Sequence, residues 1–285
     1  MGNKVSIKSE YWKEIKPGGE IEKKYISLGE YIPKKLEIDI NDNNVIKYTI
    51  TYPEKLLSSQ NAWPLIIIVN GSNDTTSAHY NFNFHLASHG FIVIGNEDKA
   101  AGNGETTSKM LDYVLNLNKD KSNILYNKID ISKIGITGGS QGGAGCLRAV
   151  TEFENGKYYK TLATISTPRF EMAKNLKWEY DVTKINIPWF QITSTGFADN
   201  NIINPICPLS SLKENYDKLK EGVPCCYARR KNVDHTDMLV YGDGYICAWF
   251  CFQLLGDTFA SRAFIGNNPE ILNNENWQDI SIKNI

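Results

Sequence analysis

The sequence predicts an α/β domain with a mostly parallel central sheet, helices on both faces and no large helical cap. Three observations carry this. Short apolar, β-rich runs alternate with segments of helical period from about residue 47 to residue 255. Two runs, 65–69 (LIIIV) and 91–94 (FIVI), are apolar without interruption, as strands covered on both faces are. A third, 133–137 (KIGIT), leads through a glycine-rich bend into another helical stretch.

The elements follow in order. Residues 1–35 are polar and irregular, broken at Pro17-Gly18-Gly19, and read as an extension packing on the edge of a domain spanning 36–285. Residues 47–52 (KYTITY) alternate as a half-exposed strand does. A helix is expected over 78–88, closed by His89-Gly90, because glycine suits the position after a helix end. Met110, Leu111, Val114, Leu115 and Leu117 give 106–118 helical spacing. Strands are expected at 162–165, 189–193 and 226–230, the last followed by a closing helix at 245–255. Only a short segment joins Ser166 to Trp189, too little chain for a large cap. That predicts a shallow, open site.

Bulk composition excludes several classes of function. With 41% hydrophobic and 22% charged residues in 285, the chain is neither disordered nor membrane-like. A formal net charge of −1 gives no overall field toward nucleic acid or acidic lipid. The basic run Arg229-Arg230-Lys231 reads as a solvated strand edge. No apolar run approaches the roughly 20 residues of a membrane span. The first residues lack the apolar core of a secretory signal. Two localisations therefore stand: cytoplasmic, or secreted with the signal peptide removed. Met1-Gly2 with Ser6 fits the myristoylation pattern, but so few residues match easily by chance.

The segment from Lys133 to Gly143 carries the chemistry. A buried strand runs into Gly138-Gly139-Ser140-Gln141-Gly142, a Gly-x-Ser-x-Gly bend, and a helix begins at about Gln141. Such a bend strains the serine backbone and needs small neighbours on each side. It holds the hydroxyl at the positive end of a helix, where developing negative charge is stabilised. A neutral hydroxyl needs a base to become a nucleophile. In this arrangement the chain order is nucleophile, acid, base. Of His79, His85, His89 and His235, only His235 follows Ser140, in a loop just past the strand at 226–230. The acid belongs after the preceding strand, where Asp199 lies; Asp181 is too early, and Asp234 and Asp237 adjoin the histidine and read as solvated. The oxyanion donors expected are the backbone N–H groups of Gln141 and of Ser72, in the loop 69–73. Gly71 lets that backbone approach a substrate closely.

Other signals are weaker. His85 and His89 sit four apart on one helix, like half of a metal site, but no carboxylate or histidine follows at suitable spacing, so ordinary surface or core roles are expected. The six cysteines lack paired CxxC spacing; Cys247 and Cys251 read as small core residues, and Cys207 could pair with Cys225 or Cys226 in an exported protein. Asn-x-Ser/Thr at Asn70 and Asn73 reads as coincidence. No dinucleotide or P-loop motif is present. Trp63, Trp189, Trp249 and Trp277 read as packing residues.

With these residues placed, the chain resembles the cutinase-like branch of the α/β-hydrolases, which includes bacterial polyester hydrolases, chlorophyllase-like proteins and platelet-activating-factor acetylhydrolases. The likeness runs from about Tyr48 to the C-terminus and rests on IIIVNGSND, LASHGFIVIGNED, GITGGSQGG, the loop ending GFAD, NVDHTD and AWFCFQLLGD. It implies an α/β-hydrolase fold and a serine esterase with Ser140, His235 and Asp199 as triad and Ser72 and Gln141 as oxyanion donors. It implies no metal and no cofactor. The substrate would be a small or polymeric ester with short-to-medium acyl groups. One departure is Asn70-Gly71, where the family's loop often begins His-Gly or Pro-Gly. A serine peptidase or amidase on the same fold, or a non-catalytic hydrolase-like binding protein, are the alternatives.

Overall fold

A computed structural model describes residues 5–285; the first residues of the myristoylation pattern, 1–4, lie outside the described residues. Among the described residues nine strands form one sheet: β1 (Pro33–Asp39), β2 (Lys47–Pro53), β3 (Trp63–Val69), β4 (Ile92–Asn96), β5 (Ile129–Gly139), β6 (Tyr159–Ile165), β7 (Trp189–Ser194), β8 (Cys225–Arg230) and β9 (Trp277–Lys283). Their order across the sheet is β1-β2-β4-β3-β5-β6-β7-β8-β9. The pairs from β4 to β8 are parallel, whereas β1–β2, β2–β4 and β8–β9 are antiparallel. The nine helices that matter below are α1 (Glu20–Ile26), α2 (Tyr80–Ser88), α3 (Glu105–Leu117), α4 (Gln141–Thr151), α5 (Phe170–Asn175), α6 (Phe197–Asn200), α7 (Leu209–Lys218), α8 (Met238–Tyr241) and α9 (Asp243–Leu255).

The apolar runs are explained by two cores, one on each face of the sheet. Leu65, Ile67 and Val69 of β3 face Met110, Leu111 and Val114 of α3 and Ala144 and Leu147 of α4. The alternate residues, Ile66 and Ile68, face α2 and α9 through Phe82, Leu86, Trp249 and Phe250. Both sides of one strand are thus withdrawn from water, and no polar alternation survives. Helix α9 is apolar nearly all round because it lies inside this second core. Together with 235–241 it has the length and composition of a bent span, although among the described residues no single helix is long and apolar enough to cross a membrane.

Several expectations are corrected. β2 is not half-exposed: α2 packs against it, and Thr49 and Thr51 are as buried as Ile50. β1 and β9 add an edge strand at each end, so the closing element is an antiparallel strand and not the helix at 245–255. β1 starts at Pro33, inside the segment read as an extension. That segment also places Tyr11, Ile21 and Tyr25 in buried positions. The basic run is not a solvated edge. Arg229 is buried against Asp279 of β9 at 2.7 Å, and Arg230 against Glu22 of α1 at 3.2 Å. The six cysteines are buried and unpaired, so the suggested disulfide does not form.

Candidate active site

In this sheet β4 and β5 leave β3 in opposite directions, so the loops after β3 and β5 part and open a crevice at the carboxyl ends of the strands. Ser72 lies in the first loop. Ser140 lies in the second, between β5 and α4, with φ +54° and ψ −125°. A left-handed φ at a non-glycine residue is strained and survives only where neighbours hold it. Here the Ser140 N–H donates to the Ile165 carbonyl at 2.8 Å, and its own carbonyl accepts from Gly143 at 2.8 Å. The bend also presses against β3. A Cβ on Gly138 would lie 2.6 Å from the Val69 carbonyl oxygen, and one on Gly142 would clash with the same atom. Glycine is therefore required at both positions. Gly71 differs: its Cβ would meet Ser140 Cβ at an ordinary 4.0 Å, so only a bound molecule would need that space.

Asp199 lies on α6, directly after β7, and is fully buried. Its Oδ1 is 2.7 Å from His235 Nδ1. Its Oδ2 accepts from Ser194 Oγ at 2.6 Å, Ser166 Oγ at 2.7 Å and the Ser194 N–H at 3.3 Å. Burial alone would raise this carboxyl's pKa. The His235 bond and charge, then the two serine hydroxyls, outweigh it and hold the group below the usual aspartate range. A carboxylate so placed favours the tautomer with the proton on Nδ1, leaving Nε2 free to accept another.

Two further residues steady the loops of the site. Asp234, just before the histidine, accepts from the His235 N–H at 2.8 Å and from the Ala198 N–H at 3.1 Å, tying the two loops together. Although exposed, it is thus bonded locally and does not approach the imidazole as Asp199 does. Asn70 is buried at the start of the Ser72 loop, donating to Asn96 O (2.8 Å) and Asp98 O (2.9 Å) and accepting from Thr76 Oγ1 at 3.2 Å. It anchors the loop to the end of β4 and is in no position to carry a glycan. Ser166, Ser194 and the bonding of Asp234 were missed by sequence reasoning; a small hydroxyl after a buried strand was the only available signal.

Ser72, Ser140 and His235 line one cavity of about 330 Å³, with Ile7, Phe82 and Leu239 among its apolar walls. Gln141, the first residue of α4, is buried beside it, and its N–H is at the exposed start of the helix's hydrogen-bond ladder. His79 and Asp74 face the same cavity, with His79 Nε2 2.6 Å from Asp74 Oδ2. Among the described residues no helical cap lies between β6 and β7, where only α5 and a short turn intervene. The structure therefore brings all five expected residues to one end of the sheet.

Comparison with known proteins agrees with this architecture. A family model described as PET hydrolase-like matches residues 46–176. Cutinase est1 of Thermobifida alba is 28% identical over 193 residues, 66% of this chain and 57% of the relative. Cutinase est2 of the same organism is 32% identical over 109 residues, covering 36% of this chain and 34% of the relative. Cutinase 2 of Thermobifida cellulosilytica is 26% identical over 192 residues, 66% of this chain and 64% of its own. The chain thus spans somewhat over half the length of the first of these relatives. With a β1-β2-β4-β3-β5 sheet order, a strained serine between β5 and α4 and these similarities, the chain has the α/β-hydrolase fold and is similar, over part of its length, to PET hydrolase-like proteins and cutinases.

Proposed function

We propose that the protein is a serine hydrolase of carboxylic esters, acting on short-to-medium acyl esters or extended polyester chains through an acyl-enzyme on Ser140. What supports this above all is the buried Asp199–His235 pair opening onto the same cavity as a serine held at φ +54°. Ser140 Oγ attacks the ester carbonyl while His235 Nε2 takes its proton. The oxygen of the tetrahedral intermediate gains negative charge, which the N–H groups of Ser72 and Gln141 stabilise. His235 then gives its proton to the leaving alcohol. Water repeats the sequence on the acyl-enzyme and frees the acid. None of these steps requires a metal or a cofactor.

The test is reaction with a fluorophosphonate probe together with a panel of nitrophenyl esters from acetate to palmitate and a soluble polyester. Labelling at Ser140, and loss of nearly all turnover in Ser140→Ala with folding intact, are expected. Unchanged turnover in that variant would defeat the assignment. An unreactive Ser140 would favour a non-catalytic binding protein, and faster cleavage of peptide anilides than of esters would favour an amidase. With no large cap between β6 and β7, activity should not rise sharply at a lipid interface. If the substrate is an extended polyester met outside the cell, export is the one of the two localisations that fits.

A further inference from the structure

Away from the cavity, three potential ligand side chains meet where α2, α9 and the end of α1 come together. His85 lies in the last turn of α2 and His89 follows that helix directly, so both imidazoles share one face. Cys247 is on α9. One ligand atom from each of the three lies within 4.8 Å of the other two. Cys251, one turn on from Cys247, places its thiol against the Cys247 thiol. Cys247 and His85 are fully buried, whereas His89 is partly exposed and offers a path from solvent.

The hydrogen bonds around these rings do not close. Nε2 of His85 and Nε2 of His89 both face one acceptor, the Ser27 carbonyl oxygen, at 3.2 and 2.8 Å. On its other side His85 Nδ1 is 2.7 Å from Asp243 Oδ2. That approach is short but too poorly angled for an aligned hydrogen bond. The same oxygen accepts from the Tyr11 hydroxyl at 2.5 Å. A neutral His85 with its proton on Nδ1, toward the carboxylate, has its Nε2 lone pair against a carbonyl oxygen. Two acceptors then touch in a fully buried place. A cation taken up by that lone pair removes the conflict, and an imidazole backed by a carboxylate is the usual arrangement behind a metal.

We propose that His85, His89 and Cys247 form a site for a thiophilic divalent cation, Zn(II) by preference, with Asp243 orienting His85 and a water in the fourth position. Two imidazoles and a thiolate suit zinc and not magnesium or calcium, which take oxygen ligands. Zinc bonds of about 2.0–2.3 Å set tetrahedral ligand atoms roughly 3.5 Å apart, so the three must close by about 1 Å. Side-chain torsions on two adjoining helices supply a movement of that size. Binding converts the Cys247 thiol to thiolate and releases its proton to solvent. The cation would clamp α2, which carries Phe82 into the cavity wall, to α9. The sequence could not show this, because the ligand that completes the His85/His89 pair comes from a helix more than 150 residues on.

The chelator-treated protein is titrated with Co(II) and then Zn(II), following cobalt absorption, bound metal by mass spectrometry and the melting temperature. Expected are one equivalent per chain, a thiolate-to-cobalt charge-transfer band displaced by Zn(II), and a higher melting temperature with metal. Cys247→Ala, a small apolar replacement, should lose the band. His89→Gln, at the partly exposed position, should weaken binding by about tenfold or more. Absence of the band in excess Co(II), the same band in Cys247→Ala, or unchanged affinity in His89→Gln overturns the proposal. Should Cys247→Ala fail to fold by circular dichroism, His89→Gln decides alone. Esterase activity is not a readout, so this result and that of the ester assays are separate.

Discussion

Asp199→Asn isolates what the carboxylate contributes, because the pocket fixes which way the amide must lie. Three donors converge on Oδ2: the hydroxyls of Ser166 and Ser194 and the Ser194 N–H. An amide NH2 cannot accept them, so the amide oxygen stays there and the NH2 turns to His235 Nδ1, 2.7 Å from the present Oδ1. It donates, and Nδ1 must accept. The ring proton is then driven to Nε2, the nitrogen that has to take the Ser140 proton. This wrong tautomer should lower kcat by about 10⁴-fold, or roughly 5 kcal/mol of transition-state stabilisation. Stability at neutral pH should fall by only about 1 kcal/mol, since shape and donors are kept. Asp199→Ala, by contrast, strands three buried donors and should cost about 3 kcal/mol or more. Nitrophenyl acetate turnover, with Ser140→Ala as background, and urea unfolding measure the two effects. Turnover in Asp199→Asn within tenfold of wild type would refute the reasoning, above all if Asp234→Asn lost activity instead. The acid limb gives a further check. A carboxyl whose folded pKa is lowered contributes stability that is fully present above the ordinary aspartate range and lost as pH falls through the folded value. Wild type should therefore lose stability on acidification by more than Asp199→Asn does.

Three other outcomes follow from the same geometry. Gly142→Ala places a methyl group into the Val69 carbonyl and should destabilise the fold by more than about 2 kcal/mol, seen in thermal unfolding. Ser72→Ala and Gln141→Ala should each keep turnover within a few-fold, because the proposed donors are main-chain N–H groups; a hundredfold loss in either would move the oxyanion role to the side chain. Ile7→Ala enlarges the cavity wall and should shift the ester panel toward longer acyl chains by about tenfold at most, the worth of a few methylenes in an apolar pocket.

What the sequence makes legible divides by how local the physics is. The elbow is readable because the strained Ser140 and its flanking glycines fall within five consecutive residues, although the atoms that forbid a side chain on Gly142 belong to Val69 and Asn70 of the neighbouring strand and loop. His235 needs only chain order, and Asp199 only its place after a strand. Properties set by distant partners do not show. β2 alternates in its side chains, yet α2 covers the face that alternation assigns to solvent. Arg229 and Arg230 look solvated until Asp279 and Glu22 arrive from 50 and 208 residues away. β1 and β9 carry edge-strand charge that hides their pairing, as edges exposed to water commonly do.

The same distinction explains how a site without a cap acquires walls. The loops after β3 and β5 supply Ser72 and Ser140, but they leave the cavity open on the side of α2. There the chain before α1 returns: Trp12 stacks on Phe84 with ring centroids 6.0 Å apart, and Asn81 Nδ2 donates to the Ser9 carbonyl at 2.8 Å. These contacts hold Ile7 in the wall of the cavity that Ser140 also lines. A polar, irregular segment gives no sign of this, because its function depends on one apolar side chain held in place by neighbours on another element. The placement of Ser140, Asp199 and His235 is thus set by the sheet, while the breadth of the pocket depends on a segment outside the parallel core. Substitutions in that segment should therefore alter substrate choice with little effect on the chemistry at Ser140.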